Sequence, residues 1–176
     1  MIPIAFIKYL YHFHVDRDYF ECHEILEEYW KEETDQQKNS IWVGFILLAV
    51  ANYHHRRNNF PGATRTLEKA IAIFHNQKEN VANLDINVEQ FTELLQNHMI
   101  NLKKSNSYQS YSLPLRLSNK QLSQCYSQEE ISQIDWGKES DLYDASLINR
   151  HKIRDRSDII TERQNALIQR KKTQCD

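Results

Sequence analysis

Three glycines and three prolines in 176 residues leave this chain little means of building tight turns. An all-β sandwich or barrel needs many such turns, so the scarcity argues for helices. Apolar residues should then recur with a period near 3.6, and through the first hundred residues they do. Ile4, Ile7, Leu10, Tyr11 and His14 mark a first helix. After a polar break at Asp16-Arg17-Asp18, Asp18 and Glu21 form a capping-box-like start to a second helix, which runs to about Glu33. The polar TDQQKNS segment is a loop. A third helix starts near Ser40 and reads IWVGFILLAVANYHHRRN, apolar on nearly all sides and therefore central.

Asn58-Asn59 serves as a C-terminal turn and the next N-cap, with Pro61 in the first turn of helix four. That helix carries Ala63, Leu67, Ala70, Ile71 and Phe74 on one face. Helix five carries Val88, Phe91, Leu94, Leu95, His98, Met99 and Leu102 in the same way. The expected fold is all-α: a compact bundle of about five helices in antiparallel hairpins over residues 1–104. Residues 105–176 read as a polar linker and a loosely packed C-terminal extension, partly disordered or weakly helical. Within it SNSYQSYS has linker character, LPLRLSNKQLSQCYS has leucines to dock on the core, and 155–172 has a narrow helical stripe.

Several function classes are disfavoured. A net charge of -2 gives no drive toward nucleic acid. The longest apolar run, Ile41 to Ala51, is far short of a bilayer span, so no membrane is expected. There is no G-x-S-x-G, phosphate-binding glycine loop or dinucleotide fingerprint. Cys22, Cys125 and Cys175 are sparse and widely spaced, which fits reduced thiols and a cytoplasmic location.

The second helix, DYFECHEILEEYW, holds four glutamates and a histidine. Residues advance about 100° around a helix. With Tyr19 at zero, His23 falls near ~40° and Glu27 near ~80°, beside the Leu26–Trp30 stripe. Glu21, Glu24 and Glu28 point mainly toward solvent. His23 and Glu27, one turn apart, are the inward pair and the candidate acid–base groups. A buried carboxylate needs a partner, which His23 supplies. Further donors come from the polar end of the third helix, Asn52 to Arg57. Glu24, Tyr53, His54 and Arg57 complete a candidate ligand-binding or polar network. His23, Glu27 and His54 are also candidate ligands for a divalent metal. A packing network, a polar pocket and a metal site all remain open. Arg56 and Arg57 with Tyr53 suit an anion, or simply an exposed helix C-terminus. Cys22 reads as a buried structural thiol and His98 as a core histidine, while His12 and His14 receive no role.

Phe20, Glu21, His23, Glu24, Leu26, Glu27 and Trp30 match a Phe-Glu-x-His-Glu-x-Leu-Glu-x-x-Trp segment. Tyr53, His54, Arg57, Asn59, Gly62 and Ala63 match a second signature, Tyr-His-x-x-Arg-Gly-Asn followed by Gly-Ala. On these motifs residues 3–104 resemble the domain of unknown function 309 family of small all-helical proteins. Asn58 stands where the family usually has glycine. The resemblance implies the helical fold and, through descriptions of the family, a metal-dependent hydrolase, but no established reaction. NNFPGATRTLEKAIAIF is also similar to a tetratricopeptide unit. Two functions are therefore expected: a binding or scaffold module taking a protein or small-molecule ligand in a helical groove, or a hydrolase-like enzyme using His23, Glu27 and His54.

Overall fold

Each long helix starts where a short polar side chain can take an orphan amide of the first turn. The computed structural model describes residues 2–115 and 117–153. It contains helices α1 (Ile4–Tyr11), α2 (Tyr19–Glu32), α3 (Ile41–Arg56), α4 (Phe60–Asn76), α5 (Lys78–Ala82) and α6 (Val88–Lys103), and no strand among the described residues. Four short helices follow: α7 (Asn119–Leu122), α8 (Gln128–Ser132), α9 (Ala145–Ile148) and α10 (Arg150–Ile153). Asp18, Ser40, Asn59 and Asn87 each accept a backbone N–H at the N-terminus of α2, α3, α4 and α6. Asn58 adopts the left-handed region at φ 57°, so asparagine does here what the family's glycine does.

Ring contacts define the packing. Tyr29 at the end of α2 meets Trp42 at the start of α3, and Phe20 at the start of α2 faces Tyr53 at the end of α3. These two helices are therefore antiparallel. Phe45 early in α3 meets Phe74 late in α4, so that pair is antiparallel too. α3 lies between α2 and α4, and α6 packs on α4. Gly44 permits the close α3–α4 approach: a Cβ there would sit 2.8 Å from Phe74 Cε1 and 3.2 Å from Ile73 Cγ2. The core is aromatic, with Phe6, Tyr9, Phe13, Tyr19, Phe45 and Phe91 buried together. Each such side chain removes 150–250 Å2 from water as a typical payload, of order ~150 Å2 or more.

α1 continues into a π-helical turn, His12–Asp16, which ends at Arg17 in the left-handed region with φ 56°. Such a conformation costs on the order of 1 kcal/mol for a residue with a Cβ. Arg17 is nevertheless buried. Its guanidinium donates to the carbonyls of Phe13 (3.0 Å), Tyr111 (2.6 Å) and Lys138 (2.8 Å), which offsets that cost.

The segment after Lys104 lies on the helices. Tyr108, Leu113 and Leu122 are buried, and Ile131, Ile134 and Trp136 are partly buried against the core. Linker character holds for the backbone of SNSYQSYS, which has no regular structure, but its tyrosines are packed. α8 and α9 bury no residue fully, in keeping with a loosely packed extension. The stripe expected over 155–172, and Cys175, lie outside the described residues. No helix among the described residues is long and apolar enough to cross a membrane.

Candidate functional site

On α2, His23 Nδ1 lies 3.0 Å from a Glu24 carboxylate oxygen and His23 Nε2 lies 3.1 Å from one of Glu27. Lys31 Nζ approaches the other Glu27 oxygen to 2.7 Å. The predicted His23–Glu27 pair is therefore formed, and Glu27 bridges His23 and Lys31, each one helical turn away. The side chains of His23, Glu24 and Glu27 are 27%, 26% and 33% exposed, so the cluster is half-wet and needs no unusual compensation for burial. Glu24 is not on the solvent side as its angular position suggests. Its carboxylate instead reaches the His23 ring.

The donors of His23, Glu24 and Glu27 all lie within 4.8 Å of one another. His54, the expected third ligand, is not part of that group. It turns away, with Nδ1 3.0 Å from Asn59 Nδ2. Burial and then Arg57 and Arg65 lower the pKa of His54, so a neutral ring is favoured there. The fit to a cation is poor. Both ring nitrogens of His23 already face carboxylates, and Glu27 is engaged by Lys31, so a metal would have to displace one of these contacts.

The antiparallel packing settles which end of α2 meets the polar end of α3: it is the N-terminal end. The Phe20 ring lies between His23 (6.2 Å between centroids) and Tyr53 (6.1 Å). Arg57 stacks over Tyr53 at 5.4 Å, within cation–π range. The two motif segments thus form one face, on which the chain's own C-terminal segment rests. Tyr53 OH is 2.5 Å from His151 Nδ1, Arg57 lies 3.4 Å from His151 Nε2, and Arg150 pairs with the buried Asp18 carboxylate. Arg56 is buried and is not a solvated helix end. It donates to Arg17 O (2.6 Å), Ser140 Oγ (3.0 Å) and Leu147 O (3.1 Å), and its guanidinium lies over the Tyr19 ring.

A second polar set lies on the far side of α3 and includes His98, the expected core histidine, which is buried. Asn52 Nδ2 donates to Leu48 O (2.9 Å) and to Tyr111 OH (2.7 Å). Tyr111 OH lies 3.2 Å from His98 Nδ1, His98 Nε2 lies 3.1 Å from His55 Nδ1, and His55 Nε2 lies 2.9 Å from Asn106 O. A carbonyl only accepts, so His55 Nε2 carries the proton. With both rings neutral, His98 Nε2–H donates to His55 and Tyr111 O–H donates to His98. Burial favours that neutral state for both rings. Burial pushes His98 down to about 3, with His55 adding to the effect, and burial also lowers His55. His14 works in the same manner. Its Nδ1 donates to Leu10 O (2.7 Å) and its Nε2 accepts Leu113 N–H (3.0 Å), with burial driving its pKa down to about 4. Neutral histidines thus tie residues 106–113 to the helices, and Tyr19 and Tyr108 are joined through their hydroxyls.

These features define an all-helical protein in which two motif segments from adjacent helices build one polar, aromatic face. The chain belongs to the family described as domain of unknown function (DUF309), whose model matches residues 6–66. That span stops short of residue 104, where the sequence resemblance was drawn. The chain is also similar to the uncharacterized protein YpuF of Bacillus subtilis (strain 168), at 42% identity over 173 residues, 98% of this chain and 99% of that relative. Residues beyond the family model therefore have a counterpart as well. No solved structure matches the chain.

Proposed function

We propose that this protein is a helical docking module whose recognition face comprises Phe20, His23, Glu24 and Glu27 of α2 with Tyr53 and Arg57 of α3. The partner it fits is a short protein segment carrying adjacent basic and histidine side chains. The observation that carries this reading is the chain's own Arg150-His151 pair, seated on Asp18 and Tyr53 at one end of that face. Within the extension that follows the core of residues 1–104, Arg150 and His151 supply this internal occupant. Nucleic acid is not an expected partner at a net charge of -2. We assign the cytoplasm, a reading supported by the free thiols of Cys22 and Cys125.

A full-length chain carrying Arg150→Ala and His151→Ala, titrated with a synthetic peptide of residues 141–153, tests the proposal. Saturable binding that Tyr53→Ala weakens at least about tenfold supports it. No binding, or binding indifferent to Tyr53, overturns it. The hydrolase reading rests on His23, Glu27 and His54 acting together, and His54 does not join that cluster.

A further inference from the structure

A cleft of about 600 Å3 opens between α6 and residues 106–111, on the opposite side of α3 from the docking face. Its floor is the His55–His98 pair, whose nitrogens are all used within the relay. Its walls are almost uncharged. Glu93 is the one charged side chain among the lining residues, whereas 26% of the chain is charged. Gln90, Asn97, Gln109 and Ser107 also line it, residues that carry three carboxamides and a hydroxyl. None of these four side chains hydrogen-bonds to another described residue. The Asn101 and Asn106 side chains instead pair with each other at 3.0 Å.

That set selects a chemical class. A carboxamide both donates and accepts, as a ligand hydroxyl does, and a carboxylate accepts from neighbouring hydroxyls. Anions would meet Glu93 with no cation in the lining to hold them. Planar bases would find no open ring to stack on, since Tyr111 is edge-packed against Phe13 and His98 with its hydroxyl engaged. The volume falls in the ordinary range for small-molecule sites, on the order of 300–1,000 Å3. We propose that this cleft binds a neutral polyhydroxylated ligand, a sugar or sugar-like polyol, held by Glu93, Gln90 and Asn97 on α6 and by Ser107 and Gln109 opposite.

Ligand-observed NMR on the full chain tests this with glucose, N-acetylglucosamine, trehalose and myo-inositol as probes, and inorganic phosphate and adenosine as counter-probes. At least one polyol should bind saturably below ~10 mM, and Glu93→Gln and Asn97→Leu should each weaken it at least about tenfold. Both residues are exposed, so the melting temperature should hold. Tyr53→Ala should leave this binding intact, which separates the cleft from the docking face. The proposal is overturned by saturable binding of phosphate or adenosine alone, by no binding from any polyol, or by polyol binding that both substitutions leave unchanged.

Discussion

His98 Nε2 donates to His55 Nδ1 across 3.1 Å, and this bond requires that at least one of the two rings be neutral. Protonating both rings would set two N–H groups against each other in a buried place. His14 stands in the same position toward the Leu113 amide. Three histidines hold residues 106–113 on the helices, and acid removes the His14–Leu113 bond and, once both rings are charged, the His55–His98 bond.

Stability should accordingly fall in mild acid. His14 and His98 ordinarily titrate near 6.5 and in the folded chain near about 4 and about 3, so the folded state binds fewer protons. Their contribution is complete above about pH 6.5, shrinks as pH drops through that value, and is gone below the folded values. The shifts correspond to on the order of 3 kcal/mol for His14 and 5 kcal/mol for His98 over that window. Urea unfolding at pH 7.5, 6, 5 and 4 should show a flat upper plateau and a steep decline. His98→Gln should make the decline shallower.

Tyr111→Phe should break the relay at its centre. The variant leaves His98 Nδ1 without a donor, and Asn52, whose Oδ1 already lacks a partner, loses a further contact. A cost of about 1–3 kcal/mol is expected from urea denaturation. Tyr11→Phe, whose side chain is only half-buried, should cost less than about 0.5 kcal/mol.

Gly44→Ala tests the α3–α4 contact. Alanine gains about 1 kcal/mol of helix propensity over glycine, but its Cβ would meet Phe74 at 2.8 Å. Overpacking of roughly 1–3 kcal/mol should win, giving a net loss that Phe74→Leu partly reverses in the double variant. A stabilised single variant would mean the two helices lie farther apart.

The His23–Glu27–Lys31 ladder should behave as a surface feature. Glu27→Gln should change stability by less than about 1 kcal/mol. Chain purified without a histidine tag should carry zinc or manganese well below one equivalent by elemental analysis. Stoichiometric metal that disappears with Glu27→Gln would contradict the ladder.

The helices were legible because their apolar period and polar caps are local signals: Asp18, Ser40 and Asn59 mark starts within a few residues of the runs they begin. The role of residues 106–113 was not. SNSYQSYS looks solvated, and the partners of its tyrosines lie 89 and 59 residues away at Tyr19 and Asn52. No window of sequence carries such a pairing. His14 sits at helical spacing beside apolar neighbours, a signal of burial that a polar partner alone could explain. Glu24 shows another limit. Helical arithmetic places a Cβ, while a three-bond side chain can return its carboxylate to the opposite flank. His54 follows Tyr53 by one residue, so only one of the two can face α2, and the ring of Tyr53 takes that place.

The most direct test of the docking account compares one peptide on two full-length chains. The peptide of residues 141–153 should bind the Arg150→Ala, His151→Ala chain at least about tenfold more tightly than the unaltered chain, where the internal segment competes. Equal affinities would contradict the claim that Arg150 and His151 occupy the recognition face.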